Sequence, residues 1–245
     1  MHRLNPADVS DDEITQAYQV EDRSVPHVRC NFVTSLDGAV EIDGQSKSLT
    51  SPADSELFGK VRMLSDVVLV GAGTVRIEGY NPLRLGAERR TWRKDHGLPE
   101  NPTLAIVSSR LDLDPINRVF ADAPIRPLVI THAAAPPDRA EALAEVADVL
   151  VCGQAEVDLR TVVATLAERG LPQILCEGGP HLLGALTDAD LVDEMDLSVS
   201  PLLVGPGAGR ITAGAFDSVA RRFVLRSALG ADDGSLFLRY LRQPT

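Results

Sequence analysis

Gln173-Ile174-Leu175-Cys176-Glu177-Gly178-Gly179-Pro180-His181-Leu182-Leu183 is the stretch that decides the fold. Four strand-forming residues run into an acid, two glycines and a proline, and an apolar helix pattern follows. Pro180 sits where a first helical residue tolerates the missing N–H. The paired glycines let a ligand approach the backbone closely, and the helix start turns free N–H groups and a positive dipole end toward it. A strand that stops at such a turn and continues as a helix is the repeating unit of an α/β domain, whose ligands lie at the strand carboxyl ends. Glu177 lies at that end.

Working outward, the same alternation recurs. On the amino-terminal side, Ser10-Asp11-Asp12-Glu13 reads as a capping box opening a short helix to about Tyr18. His27 to Thr34 reads as a strand, followed by the turn Ser35-Leu36-Asp37-Gly38. Ser51-Pro52 starts a helix with Leu57, Phe58, Val61 and Leu64 on one face. Asp66 to Val70 is an apolar strand ending at Gly71, and the segment from Thr74 to Leu98 reads as loop-rich. Strands are expected at Thr103–Val107, Leu128–Thr131 and Val149–Cys152, with helices at Asp138–Ala147 and Asp158–Arg169. Past residue 190, Met195, Leu197 and Val199 alternate with Asp196, Ser198 and Ser200, the period of a half-buried strand. Phe223–Leu229 and Leu236–Tyr240 flank a Gly/Asp turn and read as a hairpin, and Pro201–Gly214 reads as a loop. The expectation is one domain over residues 26–245 behind an N-terminal extension, 1–25. Its layers should be α/β/α around a mixed, mostly parallel sheet with antiparallel strands at its end.

Composition narrows the function. The 245 residues carry a net charge of −11 and only 4% aromatics, a poor match to a phosphate backbone or to stacked bases. No apolar run approaches the roughly 20 residues of a membrane helix, and the N-terminus lacks an apolar signal segment. Cys30, Cys152 and Cys176 form no CxxC, which fits buried thiols in a reducing cytoplasm. The five histidines show no metal-ligand spacing, and GxSxG, HExxH and P-loop motifs are absent. One basic stretch stands out: Arg84, Arg89, Arg90, Arg93 and Lys94.

A second glycine turn, Val70-Gly71-Ala72-Gly73-Thr74, also follows a strand. It lacks the third glycine of a dinucleotide fingerprint, since Arg76 stands there, and Glu78-Gly79-Tyr80-Asn81-Pro82 does not read as the helix that fingerprint needs.

Ser35-Leu36-Asp37-Gly38, Ser46 through Pro52, Arg62, Val70 through Val75 and Glu177 through Pro180 together resemble the pyrimidine reductases of riboflavin biosynthesis, over roughly residues 27 to 240. The resemblance implies a dihydrofolate-reductase-like fold and NADPH-dependent reduction of the ribosylamino group of a phosphorylated pyrimidine. HxE and PCxxC are absent, so a reductase without the zinc deaminase is expected. By the same resemblance Ser46, Arg62, Arg84 and Glu177 bind substrate, with the two arginines on its phosphate. Gly71, Gly73, Thr74, Glu78, Ser109, Gly178, Gly179, Pro180, His181, Leu182 and Leu183 bind the cofactor. Asp37 is the candidate for polarising or protonating the opened ribosylamine, and Arg110 for the NADPH 2′-phosphate. A homodimer paired through the C-terminal sheet is expected. Two positions depart from the family. Ser48 stands where many members have tryptophan, and the 78–82 loop replaces an aspartate-containing one. Both leave room for a dihydrofolate or pterin reductase, or for a nucleotide-binding protein without catalysis.

Overall fold

The computed structural model describes residues 9–207, 209–214 and 219–243. Residues 1–8 of the expected extension and residue 208 of the 201–214 loop lie outside them. Among the described residues nine strands form one sheet: β1 (His27–Thr34), β2 (Val67–Gly71), β3 (Thr103–Val107), β4 (Leu128–Thr131), β5 (Asp148–Val151), β6 (Gln173–Cys176), β7 (Glu194–Val199), β8 (Phe223–Gly230) and β9 (Leu236–Arg242). Their order is β5-β4-β3-β2-β6-β1-β7-β9-β8. Every neighbouring pair from β5 to β7 is parallel, and only the β9 pairings are antiparallel.

The described residues also form eight α-helices: α1 (Asp11–Tyr18), α2 (Pro52–Leu64), α3 (Ala72–Ile77), α4 (Ala87–Asp95), α5 (Arg118–Ala121), α6 (Pro137–Ala144), α7 (Leu159–Glu168) and α8 (Pro180–Asp188). The sheet has a core on each face. Val68 and Val70 of β2 join Leu57, Val61 and Leu64 of α2 and Leu143 of α6. Val67 and Leu69 join Leu159, Val162 and Leu166 of α7 and Leu182, Leu183 and Leu186 of α8. A strand buried on both faces needs apolar residues at consecutive positions, which is why β2 reads Val-Val-Leu-Val. The three-layer expectation holds, and all three cysteines are buried and free.

Two readings need correction, those of the 74–98 segment and of the facing of β7. The 74–98 segment is not mainly loop: α3 starts immediately after Gly71, and α4 follows at Ala87. The basic stretch serves α4's docking. The wholly buried Arg93 donates to the carbonyls of Pro99, Met63 and Ser65 at 2.5–2.7 Å, while Arg89 pairs with Glu56 and Lys94 with Glu100. Within residues 9–25, Tyr18 at the end of α1 sits in the same core as Leu57 and Val61. Finally, β7 is inverted relative to its hydropathy. Glu194, Asp196 and Ser198 are buried, and Met195, Leu197 and Val199 are only half-buried. Arg29 and Arg239, on the strands either side, neutralise the buried Glu194, which favours this polar row facing inward. Among the described residues no helix is long and apolar enough to cross a membrane.

Candidate active site

Parallel pairing carries the two glycine turns to the same place. β2 and β6 are adjacent, with Leu69 opposite Cys176. The chain leaves both strands at the same sheet edge, where Glu177 N–H donates to the Leu69 carbonyl at 3.1 Å and Gly71 N–H to the Gly178 carbonyl at 2.7 Å. From β2 the chain runs outward through β3, β4 and β5, and β6 then returns to the other side of β2. Such a switch of direction opens a crevice outside the strand carboxyl ends. α3 and α8 both begin there, capped by Gly71 and Gly179.

The glycines are required by their surroundings. Gly178 has φ +107°, a region that L side chains rarely adopt, and a Cβ on Gly179 would stand 2.8 Å from Thr74 Oγ1. The Gly178–Gly179 peptide is cis. Thr74 therefore packs directly on the second turn, and the two expected cofactor segments form one surface. Gly73 meets nothing within 4 Å and leaves its side open. Ser109 and Arg110 follow β3 at the same edge, and both are exposed. His181 is exposed at the start of α8. Leu182 and Leu183 put their side chains in the core, and both N–H groups donate to the Gly179 carbonyl.

Beside this surface stands a buried ion pair. Glu177, 3% exposed, accepts from Arg62 Nε at Oε1 and from Arg62 Nη2 at Oε2, each at 2.6 Å. The Tyr80 hydroxyl donates to Oε2 as well, and accepts from Arg62 Nη2 at 3.0 Å. The Arg62 guanidinium lies 4.2 Å from the Phe58 ring centroid, one helical turn earlier in α2. Burial opposes the charge on Arg62, but the Glu177 carboxylate outweighs it and pushes the guanidinium pKa up. Burial, then Glu177, pushes the Tyr80 phenol well above its ordinary value, so it stays a donor.

The Arg62 fork holds Glu177, and only Nη1 has no partner among the described residues. Arg84 is exposed, and its Nη2 lies 3.4 Å from the Asp122 carbonyl after α5. Ser46 opens a 3₁₀ turn, Ser46–Leu49, and its N–H donates to Glu78 Oε1 at 3.2 Å. An expected cofactor residue thus holds an expected substrate residue in place.

Asp37, in the turn after β1, ties two loops together. Its carboxylate accepts from Ser35 Oγ and from the N–H groups of Val204 and Gly205, at 3.2 and 2.7 Å for the latter two. These bonds, Ser35's first, lower its pKa to about 2. Near neutrality Asp37 has no proton to give, so the proton-donor role is set aside and the polarising one is kept. The sequence reading missed Tyr80 altogether. The available signal was an aromatic residue within a polar loop in a chain with few aromatics, two positions from Glu78.

A family model described as the RibD C-terminal domain matches residues 26–232. The chain is 29% identical over 181 residues to the 2,5-diamino-6-ribosylamino-4(3H)-pyrimidinone 5′-phosphate reductase of Archaeoglobus fulgidus, covering 74% of this chain and 82% of that protein. It is 30% identical to the reductase of the same name from Methanothermobacter thermautotrophicus, covering 74% and 80%. Among solved structures, a pyrimidine reductase-like protein from Corynebacterium diphtheriae superposes with a TM-score of 0.82 at 28% identity, covering 90% of this chain and 93% of that one.

Proposed function

The chain belongs to the RibD C-terminal domain family, and from that premise we propose that it is an NADPH-dependent reductase acting on the ribosylamino group of a phosphorylated pyrimidine. One observation carries the reading: two glycine turns and a buried, oriented carboxylate share one crevice at the carboxyl ends of β2 and β6. The cradle suits a dinucleotide, because Gly71, Gly73, Gly178 and Gly179 bring no side chain of their own to the backbone that a pyrophosphate would approach. Bound there, NADPH would supply the hydride. In this reading Arg110 meets its 2′-phosphate and Ser109 its nearer atoms.

The chain's own residues do the rest. Glu177 accepts one substrate N–H or O–H. Arg62 Nη1 and Arg84 offer positive charge to the phosphate from separate positions, and Ser46, held by Glu78, adds a hydrogen bond. Asp37 remains ionised and favours positive charge on the opened ribosylamine. Holding donor and acceptor in register and keeping water out is the protein's main contribution to such a reaction. Oxidation of NADPH followed at 340 nm tests the reading. 2,5-Diamino-6-ribosylamino-4(3H)-pyrimidinone 5′-phosphate should be turned over far faster than dihydrofolate. Turnover of dihydrofolate alone would replace the reading with a pterin reductase, and cofactor binding without turnover would replace it with a binding protein.

The assembly we propose is a homodimer, in a reducing cytoplasm that keeps the three thiols free. Met195, Leu197 and Val199 face Tyr240, Leu238 and Leu236 across β7 and β9, and Leu225 and Ala228 of β8 extend the row. All are half-buried or exposed. An apolar sheet face of this kind suits a partner surface. A stable interface would bury roughly 1,200–2,000 Å², and sedimentation at micromolar concentration should give twice the 26.3 kDa chain mass.

A further inference from the structure

Tyr80 belongs to neither glycine turn and to no recognised motif, yet its hydroxyl sits inside the site. A carboxylate has about four acceptor positions, two on each oxygen. Arg62 takes one on each oxygen of Glu177, and Tyr80 takes the second on Oε2. One acceptor position is left, on Oε1. The tyrosine is itself tethered from the cofactor side, since Tyr80 N–H donates to the Val75 carbonyl of α3 at 3.3 Å. Two residues earlier, Glu78 binds the Ser46 N–H. The 78–80 loop thus joins α3, which carries Thr74, to two separate substrate contacts.

We propose that Tyr80 is a positioning residue that closes one oxygen of Glu177 and so makes the site select a substrate offering a single donor to Oε1. The inference rests on the proposed reading of Glu177 as a substrate contact. Removing the hydroxyl leaves Oε2 with Arg62 Nη2 as its one donor, so a second acceptor position opens and the substrate donor is no longer directed to Oε1 alone, while the ring still packs against the core.

Steady-state kinetics of Tyr80→Phe, Glu177→Gln and the double variant with 2,5-diamino-6-ribosylamino-4(3H)-pyrimidinone 5′-phosphate test this, with NADPH affinity by calorimetry and thermal unfolding alongside. For Tyr80→Phe the expected result is a KM raised roughly tenfold, in line with a hydrogen bond to a charged group, with kcat within about a factor of two. NADPH affinity and melting temperature should be unchanged, and the double variant no worse than Glu177→Gln, because Tyr80 acts only through that carboxylate. A KM for Tyr80→Phe within twofold of the parent, or effects of the two substitutions that multiply, would overturn the positioning role while leaving Glu177 in place. A Glu177→Gln variant with parental kinetics would instead remove the reading on which the inference stands.

Discussion

The sheet carries an arginine–carboxylate cluster at each end, and the two are built from the same groups for different ends. At the carboxyl ends, Arg62 grips Glu177 with Tyr80 as the third member. At the amino ends, Glu194 of β7 is gripped by Arg29 of β1 and Arg239 of β9, with Nε–Oε1 distances of 2.8 and 2.6 Å, and His27 lies 2.9 Å from its Oε2. α1 lies over this second cluster. The carbonyls of Tyr18 and Ala17, at its C-terminal end, accept from Arg29 and Arg239, where the helix dipole favours cations. Glu194 is fully buried, whereas the Arg62 side chain is 25% exposed with Nη1 unpaired among the described residues. The chemistry of an ion pair thus does not distinguish a site from a staple. What distinguishes them is whether donors and acceptors are left over and face an open crevice.

The largest expected effect comes from breaking the sealed end. Glu194→Ala leaves two buried arginines without their carboxylate, which should cost about 3–5 kcal/mol of stability. Denaturant titration would show it as a lowered midpoint. A loss under about 1 kcal/mol would mean that the cluster relaxes like a surface pair.

At the open end the same kind of change should appear in kinetics as well as stability. Arg62→Ala removes a charge-assisted contact worth about 1.5–3 kcal/mol, or roughly 10- to 150-fold in KM for the phosphorylated pyrimidine. It also leaves Glu177 buried without its cation, so some loss of melting temperature accompanies it. NADPH affinity should barely move. A KM within a factor of two of the parent would erase the contrast between the two clusters.

Gly179→Val sharpens the contrast on the cofactor side. The new side chain meets Thr74 Oγ1 and fills the bare turn, so NADPH binding should weaken at least tenfold, about 1.4 kcal/mol. Calorimetry on the folded variant is the check, and unchanged affinity would move the dinucleotide elsewhere.

The smallest effect belongs to the Asp37 clasp. Its pKa in the folded chain is depressed to about 2, below the roughly 3.9 of an unfolded aspartate. Its contribution is therefore present above that unfolded value and fades as pH falls toward 2. Hydrogen exchange at the Val204 and Gly205 amides should quicken over that interval. Asp37→Asn should show the quickened exchange already at neutral pH, and rates independent of pH and of this substitution would leave the clasp without a role.

Much of the fold could be read from residue order. β1, β3, β4 and β6 run between the residues that their hydropathy marks, and Ser10, Ser51 and Asp158 cap the helices they precede. α3 was hidden because six residues are too few to display a helical period. α4 was hidden because its charged surface reads as polar loop until Arg93 is seen buried. In β7 the alternation was visible and its facing was not, since hydropathy assumes that acids turn to water. Only Arg29 and Arg239, distant in the chain, make the opposite orientation favourable.

The site divides the same way. Glycine at 71, 178 and 179, proline at 180 and a carboxylate at 177 are local requirements of a strand–turn–helix that admits a ligand, and such requirements are written in consecutive residues. Which turn lies beside which, that Arg62 grips Glu177 and that Tyr80 closes one of its oxygens were decided by the tertiary structure. These depend on the insertion of β6 between β2 and β1. Burial there turns a surface-type pair into a fixed one, because a carboxylate removed from water must take its hydrogen bonds from whatever donors the fold brings within reach.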